Sequence, residues 1–401
     1  MKCKITNEEI KSFMSFGKMP PANGFLEEKD FKNEIFYDME VGFSEKISLF
    51  QLNKFSNPKI IHSENYPFYT ASSEHMKTHF KKYADWVQKE YLKSHSKLIE
   101  VGSNDGTFLK NFTKTNIDYL GFEPSKTVAN QATKNNVKTI NAFFNDTNIQ
   151  DLKKFHNKTD VICAANVIAH IPDLKNLIHT IEKLLSPKGV FIFEEPYLGS
   201  MFSKTSYDQI YDEHIFMFSI TSVKKIFELY DFELIDVLWQ KTHGGSMRYV
   251  VGRKNKHKIN DRVHEEIIKE KNRKLDDIIS CLEFKKNCEI SKTKAMNSLK
   301  KIKDDGKKIC GYAATAKSTT VLNYCNLNTD TIDFICDSTK EKIGKFSPGA
   351  HIPIVPVSHF HKNLPDVAYL FAWNHKDEIF SKEKEFLKKG GSWFSHVSLQ
   401  K

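Results

Sequence analysis

Arginine is scarce in this 401-residue chain: of 60 basic residues only Arg248, Arg253, Arg262 and Arg273 carry a guanidinium. Base reading and phosphate clamping draw on that planar fork, and the lysines are spread over nearly every segment instead of gathered in a patch. The net charge of +10 is therefore read as composition, and nucleic-acid binding is not expected. Cysteines stand at 3, 163, 281, 288, 310, 325 and 336, an odd set with no C-x-x-C pair. That excludes a disulfide framework and points to reduced thiols in a cytoplasmic protein. No run of 18 apolar residues occurs, so no membrane span is expected. The Lys-, Asn- and Glu-bearing start also lacks the apolar core of a signal peptide.

What is present is a globular composition, 40% apolar, on a chain longer than one ordinary domain. Residues 1–75, with Pro20-Pro21, Gly24 and Pro67, keep no steady period and read as an irregular N-terminal lobe. Met76, Phe80, Tyr83, Trp86, Val87 and Tyr91 then recur at helical spacing, leading into a short apolar strand at 97–101. From there strands (119–122, 160–164, 190–193) alternate with helices (128–135, 174–185), with a turn at 186–189. This is an α/β pattern, a doubly wound Rossmann-like domain over 76–253 with a parallel sheet and helices on both faces. Residues 254–305 contain neither Gly nor Pro, and Ile259, Val263, Ile267, Ile278, Leu282 and Ile290 mark a helical connector. A smaller Rossmann-like α/β domain follows over 306–401, with strands at 308–312, 331–336 and 368–371 and a helix at 313–323.

Several segments carry chemistry. Glu100-Val-Gly-Ser-Asn-Asp-Gly106 follows the first strand; its glycines allow a sharp turn and close approach of a ligand to backbone. Glu123 ends the next strand, where a carboxylate can accept both ribose hydroxyls, so an adenosine-containing cofactor fits. The plainer reading is a tight connection and a loop carboxylate. The spacing is not G-x-G-x-x-G, which disfavours a dinucleotide. Asp146 is either an adenine ligand or a helix cap. Lys204 to His214 packs Tyr207, Asp208, Tyr211, Asp212, Glu213 and His214 together, as a catalytic loop would, since His is a base near neutrality and neighbouring carboxylates orient it. A surface turn with capping aspartates is the alternative. Asn166 and His170 bracket a strand end, where open sheets hold ligands, and His170 is either functional or a satisfied structural histidine. His243-Gly-Gly-Ser-Met-Arg-Tyr249 reads as a loop closing over an anion or as a hairpin turn. Gly311-Tyr-Ala-Ala-Thr-Ala-Lys317, with Asp337 after the next strand, resembles a dinucleotide fingerprint with Ala where glycines belong. It offers a helix N-terminus, Lys317 and Ser318 to a phosphate.

In this order, the motifs resemble one family, the S-adenosylmethionine-dependent nucleotide-sugar 3-C-methyltransferases, which act on 4-keto deoxysugars. The likeness also takes in Tyr66-Pro67, Gly121-Phe-Glu-Pro-Ser125, Glu195-Pro-Tyr-Leu-Gly199, Ser347-Pro-Gly-Ala-His-Ile-Pro353 and Phe371-Ala-Trp-Asn-His375. The resemblance implies a zinc-bearing N-terminal lobe, a central methyltransferase domain, a C-terminal substrate-binding domain and a monomer acting on a dTDP- or GDP-linked sugar. It implies catalytic roles for His214, Tyr211, Glu213, Tyr66 and His170. Cofactor contacts would come from Glu100, Gly102, Asn104, Asp105, Gly106, Glu123, Pro124, Asn145, Asp146 and Asn166. Substrate contacts would come from Lys204, from His243, Gly244, Arg248 and Tyr249, from Thr315, Lys317, Ser318 and Asp337, and from Trp373, Asn374 and His375. The family's zinc site uses two C-x-x-C pairs, whereas Cys3 is the sole cysteine in the first 160 residues. The lobe is expected to fold without metal.

The chemistry agrees with the resemblance. A carbon beside a ketone becomes nucleophilic on losing a proton, which takes a base and donors for the enolate oxygen. The competing class is an oxidoreductase, or a non-catalytic nucleotide-sugar-binding protein, using the Gly311 loop; Ala313 and Ala316 in place of glycines argue against NAD there.

Overall fold

The computed structural model describes residues 1–57 and 68–399, so Tyr66 lies outside the described residues. The N-terminal lobe is a sheet, which corrects the expectation of irregular structure. Strands β1 (Ser12–Met19), β2 (Tyr37–Ser44) and β3 (Leu49–Leu52) pair antiparallel, and Phe216–Met217 from the middle of the chain adds a fourth strand beside β3. Two features hid it. The β1–β2 register shifts between Ser12 and Met14 and again between Ser15 and Gly17, so bulges break the two-residue alternation. Every residue of β3 is buried, so that strand has no polar face to alternate.

The central domain begins with α1 (Glu74–Tyr91), capped by the Ser73 side chain accepting from the Met76 amide and burying Met76, Phe80, Tyr83 and Val87. It continues through β4 (Lys97–Val101), β5 (Asp118–Phe122), α2 (Lys126–Lys134), β6 (Thr139–Ile140), β7 (Thr159–Ala165), α3 (Leu174–Leu184), β8 (Leu185–Pro196) and α4 (Leu198–Lys204). After β9, the Phe216–Met217 strand already met, come α5 (Ile220–Glu228), β10 (Phe232–Gln240) and β11 (Ser246–Arg253). The sheet order is β10-β11-β8-β7-β4-β5-β6. Strands β8 to β6 in that order are parallel, whereas β10 and β11 are antiparallel, so the sheet is mixed where a parallel one was expected. The turn expected at 186–189 is an extrusion within β8: pairing with β7 jumps from Thr159–Leu185 to Val161–Val190. Parallel β4, β5, β7 and β8 bring their C-terminal ends to one edge of the sheet, the place where such sheets bind ligands.

The connector is a helix pair, α6 (Asp261–Asn272) and α7 (Ile278–Asp304). Glu270 of α6 is buried and accepts from the Tyr197 and Thr221 hydroxyls and from the Ile220 and Thr221 amides, which anchors the connector to the central domain. The C-terminal domain comprises β12 (Ile309–Tyr312), α8 (Ala316–Tyr324), β13 (Ile335–Asp337), β14 (Ile354–Pro356), α9 (Val357–Lys362), β15 (Val367–Leu370), α10 (Lys376–Lys382), α11 (Lys384–Lys388) and β16 (Ser392–Phe394). Its five strands are parallel in the order β14-β13-β12-β15-β16. The strand expected over 331–336 starts only at Ile335. Helix α8 starts at Ala316 because Ala313 is left-handed (φ +71°) and the Thr315 side chain caps the helix at Ser318 N. Among the described residues no helix is long and apolar enough to cross a membrane.

Candidate active site

One cavity of about 940 Å³ runs from the β4 and β5 ends to the N-terminus of α8. At its central-domain end the chain turns after β4 through Gly102 (φ +66°), Asn104 (φ +49°) and Gly106 (φ +79°). The Glu100 Oε2, Ser103 Oγ and Asn166 Oδ1 atoms are buried there without a hydrogen-bond partner among the described residues. Unpaired buried polar atoms are costly, and a ligand rich in hydroxyl and amino groups would satisfy them. Burial, reinforced by Asp105 and Glu123, pushes the Glu100 carboxyl well up. Glu123 accepts from the Asn104 and Ser125 amides, yet burial still raises its carboxyl to about 7. These groups fit the adenosine and amino-acid parts of S-adenosylmethionine, with Asn145 and Pro124 in the same wall.

Asn104 and Asp105 do something the sequence did not suggest. Asn104 Oδ1 accepts from the Thr70 amide and hydroxyl, and Asp105 Oδ2 from the Ala71 amide, so they fasten the start of the central domain onto the turn after β4. Gly106 lies off the cavity wall, and a Cβ there would meet Val137 at 2.8 Å. Asp146 pairs with Lys183 at the surface and does not line the cavity. A Cβ on Gly102 would fall 2.4 Å from a Val167 methyl at a positive φ, and Val167 is itself in the cavity wall. Gly102→Val is therefore expected to fold poorly around this loop and to lose S-adenosylmethionine binding in calorimetry. Glu123→Gln should weaken binding less, since an amide keeps one good acceptor.

The catalytic candidates form the middle of the cavity. His214 Nδ1 lies 2.7 Å from the Gln209 carbonyl oxygen and Nε2 lies 2.7 Å from the Tyr211 hydroxyl. A carbonyl only accepts, so Nδ1 carries the proton and Nε2 holds the lone pair, to which Tyr211 donates. Burial pushes the His214 imidazole down to about 3, against the Gln209 carbonyl. His170 packs edge-on to His214 with ring centroids 5.1 Å apart, and its Nδ1 lies 4.0 Å from Glu213 Oε2. Burial, with Asp212 adjacent, raises Glu213 to about 7.

This segment is gripped from two other lobes. From the N-terminal lobe, the Ala22 amide donates to Asp212 and the Asn23 amide group to Glu213, and the Ser56 hydroxyl also bonds Asp212. From the C-terminal domain, Trp373 Nε1 donates to Asp208 at 2.7 Å, His396 Nε2 stands 3.1 Å from the same carboxylate, and the Thr320 hydroxyl donates to the Ile210 carbonyl. The C-terminal wall carries Thr315, Lys317, Asn374, His375 and, from the β10–β11 hairpin, His243. Lys317 Nζ and His243 Nε2 are buried without a hydrogen-bond partner among the described residues. Burial lowers the Lys317 ammonium against Asp208, lowers His243 well below its ordinary range, and lowers His375 to about 4.

Several expected substrate contacts sit elsewhere. Arg248 is buried beside Glu194 and against Tyr83 and Trp86. The buried Tyr249 hydroxyl faces the Phe218 carbonyl. Lys204 donates to the Gly244 carbonyl, Ser318 bonds Thr315 within the α8 cap, and the Trp373 indole lies against Gly244. These residues shape the wall from behind. Asp337 lines the cavity, but its two oxygens accept from the Ala314 and Thr339 amides, which leaves it a brace of the Gly311 loop where a dinucleotide site would offer it to a ribose. Asn23, Gln209, Thr339 and Lys342 line the cavity and were missed. Gln209 lies within the Lys204–His214 segment but was passed over for its titratable neighbours, the other three lack a local motif, and Asn23 meets Glu213 across 190 residues of sequence.

Three family models match in chain order: a putative zinc binding domain over 3–62, a methyltransferase domain over 74–237 and a C-methyltransferase C-terminal domain over 241–397. The C-methyltransferase NovU of Streptomyces niveus is 28% identical over 97% of this chain and 94% of its own. Likeness to solved structures is partial. A magnesium protoporphyrin IX methyltransferase from Synechocystis with bound S-adenosylhomocysteine matches with TM-score 0.35 and 14% identity over 44% of this chain and 83% of that one. A methyltransferase in complex with its Trm112 activator, from Haloferax volcanii, matches with TM-score 0.38 and 12% identity over 46% of this chain and 94% of that one. The zinc-binding model matches without the cysteine pairs that the resemblance implies for such a site. Cys3 is the sole cysteine in 3–62, its sulfur accepts from the Thr6 amide, and among the described residues no three His, Cys, Asp or Glu side chains gather as a metal site. Elemental analysis of protein purified without added metal should show well under one zinc per chain; a stoichiometric value would refute this. Methyltransferase and C-methyltransferase domains in sequence, a C-methyltransferase relative matched over nearly its whole length and a cavity whose buried polar atoms fit S-adenosylmethionine agree: the chain is an S-adenosylmethionine-dependent C-methyltransferase.

Proposed function

We propose that the enzyme methylates C3 of a nucleotide-linked 4-keto deoxysugar through an enolate raised by His214. The observation that carries this reading is the Tyr211–His214 pair, set in the cavity between the cofactor loop and the α8 wall. Burial keeps His214 neutral, and the Gln209 carbonyl fixes the tautomer that turns the unprotonated Nε2 toward Tyr211. A sugar C–H that reaches Nε2 displaces the Tyr211 hydroxyl, which then donates to the neighbouring ketone oxygen. Base and oxyanion donor are thus engaged in one movement. The proton passes from carbon to Nε2, the electron pair remains on the carbon–oxygen enolate, and the Gln209 carbonyl steadies the imidazolium. When bound, S-adenosylmethionine supplies an electrophilic methyl group for that carbon. Glu213 and His170 flank the sugar side, and the unpartnered Lys317 and His243 nitrogens supply hydrogen-bond donors or acceptors for the diphosphate or sugar oxygens.

The test is a panel of enzymatically made dTDP- and GDP-linked 4-keto sugars incubated with S-adenosylmethionine and followed by mass spectrometry. A gain of one CH₂ on carbon, with deuterium wash-in at C3 in heavy water, is expected. Methylation of none of the panel, or of oxygen, would overturn the reading.

A further inference from the structure

We infer that Asn23, supplied by the N-terminal lobe, is a positioning residue of the active site that holds the Glu213 carboxylate in one orientation opposite His170. Asn23 follows the Pro20-Pro21-Ala22 turn at the end of β1. Its Nδ2 donates to Glu213 Oε1 at 2.7 Å, while the adjoining Ala22 amide donates to Asp212 Oδ1 at 2.9 Å. The Ala22 carbonyl in turn accepts from the Thr319 hydroxyl of α8 at 2.8 Å. This short segment is therefore wedged between the catalytic loop and the helix that carries Lys317, with three bonds fixing its place.

The consequence for Glu213 is directional. An ionised carboxylate only accepts, so Asn23 must present its NH₂ face, and with Oε1 so occupied it is Oε2 that stands 4.0 Å from His170 Nδ1. Among the described residues the groups that bear on Glu213 are Asp212 beside it, Tyr37 of β2, His170, Lys342 and Asn23. Burial and Asp212 push its carboxyl up to about 7, while Asn23 and Lys342 pull it down. The Asn23 hydrogen bond favours the ionised form against burial and Asp212, and it fixes which oxygen faces His170. The lobe that matches a zinc-binding model is, on this view, the part that delivers an amide to the active site.

The inference rests on the proposed roles of Glu213 and His170, so its test has two arms, both on the full-length protein. In the first, the Glu213 carboxyl stretch is titrated by infrared difference spectroscopy, identified by its loss in Glu213→Gln. Asn23→Ala should move its midpoint up by about one pH unit, and Asn23→Asp, which keeps the native side-chain shape, by more. In the second, a panel sugar that the wild type methylates is used. Asn23→Ala should lower kcat about tenfold near pH 7 without changing S-adenosylhomocysteine affinity, and Asn23→Ala/Glu213→Gln should be no slower than Glu213→Gln alone. An unmoved midpoint, or losses that multiply in the double variant, would overturn the inference. If the wild type methylates none of the panel sugars, the functional reading fails and the infrared midpoint still decides the role of Asn23.

Discussion

His214→Asn is expected to fold, to bind S-adenosylhomocysteine as tightly as the wild type, and to lose methyl transfer by at least ~10²-fold, the scale of losing a general base. Asn is polar and smaller than His, and it can still donate to the Gln209 carbonyl that now takes Nδ1–H; what it lacks is a basic nitrogen at the position of Nε2. Exchange of the substrate C3 hydrogen with heavy water should stop as well, and this isolates proton removal from methyl transfer. Tyr211→Phe should lose less, because it removes one donor to the developing oxyanion, worth about 3 kcal/mol, and leaves Nε2 open. Near-wild-type exchange in His214→Asn would move the base elsewhere, with His170 the next residue to replace. The variant has a second signature in stability. Burial depresses His214 to about 3, against ~6.5 unfolded, so its contribution is complete above ~6.5 and is lost as pH falls toward 3. His214→Asn should be less acid-sensitive than the wild type in denaturation midpoints across that window.

The βαβ alternation was legible because each strand of the central sheet is a short apolar run and each helix keeps a clean period. The elements read there match the observed ones to within a few residues, except that β8 begins at Leu185 and takes in the expected turn, and β6, α4, α5, β10 and β11 were not read at all. The N-terminal sheet was not legible, since bulges in β1 and complete burial of β3 remove the two-residue signal. Within the site, local clusters could be read: the Glu100–Gly106 turn and the Tyr211–His214 group are contiguous in sequence, and the fold places them on one cavity. Partners far apart in the chain could not. Nothing near Asn23 announces Glu213, and nothing near Asp208 announces Trp373 or His396. Residue type alone also misled, because a cation or aromatic in a glycine-bearing motif can brace the wall as well as face the ligand.

Arg248 is the strongest case of that kind, and Arg248→Met is expected to cost about 3–5 kcal/mol of stability while leaving the ligand-facing wall in place. Its guanidinium meets Glu194 Oε1 through Nε at 2.6 Å and a second nitrogen at 2.5 Å, and lies 4.0 Å above the Tyr83 ring and 4.5 Å above that of Trp86. Glu194 is buried, with His79 Nε2 2.6 Å from its other oxygen. Burial pushes that carboxyl up, but Arg248 and His79 outweigh it, so it stays below its ordinary range. A depressed carboxyl contributes stability that is present above ~4.3, its unfolded value, and is lost as pH falls through the folded one. Removing the arginine strands a buried carboxylate, which then takes up a proton. The penalty should accordingly be largest at pH 7 and shrink toward pH 4, as chemical denaturation at the two values would show. If Arg248 were instead a clamp for the substrate anion, the variant would unfold like the wild type at both pH values and lose only substrate affinity, and the structural assignment of this residue would fall.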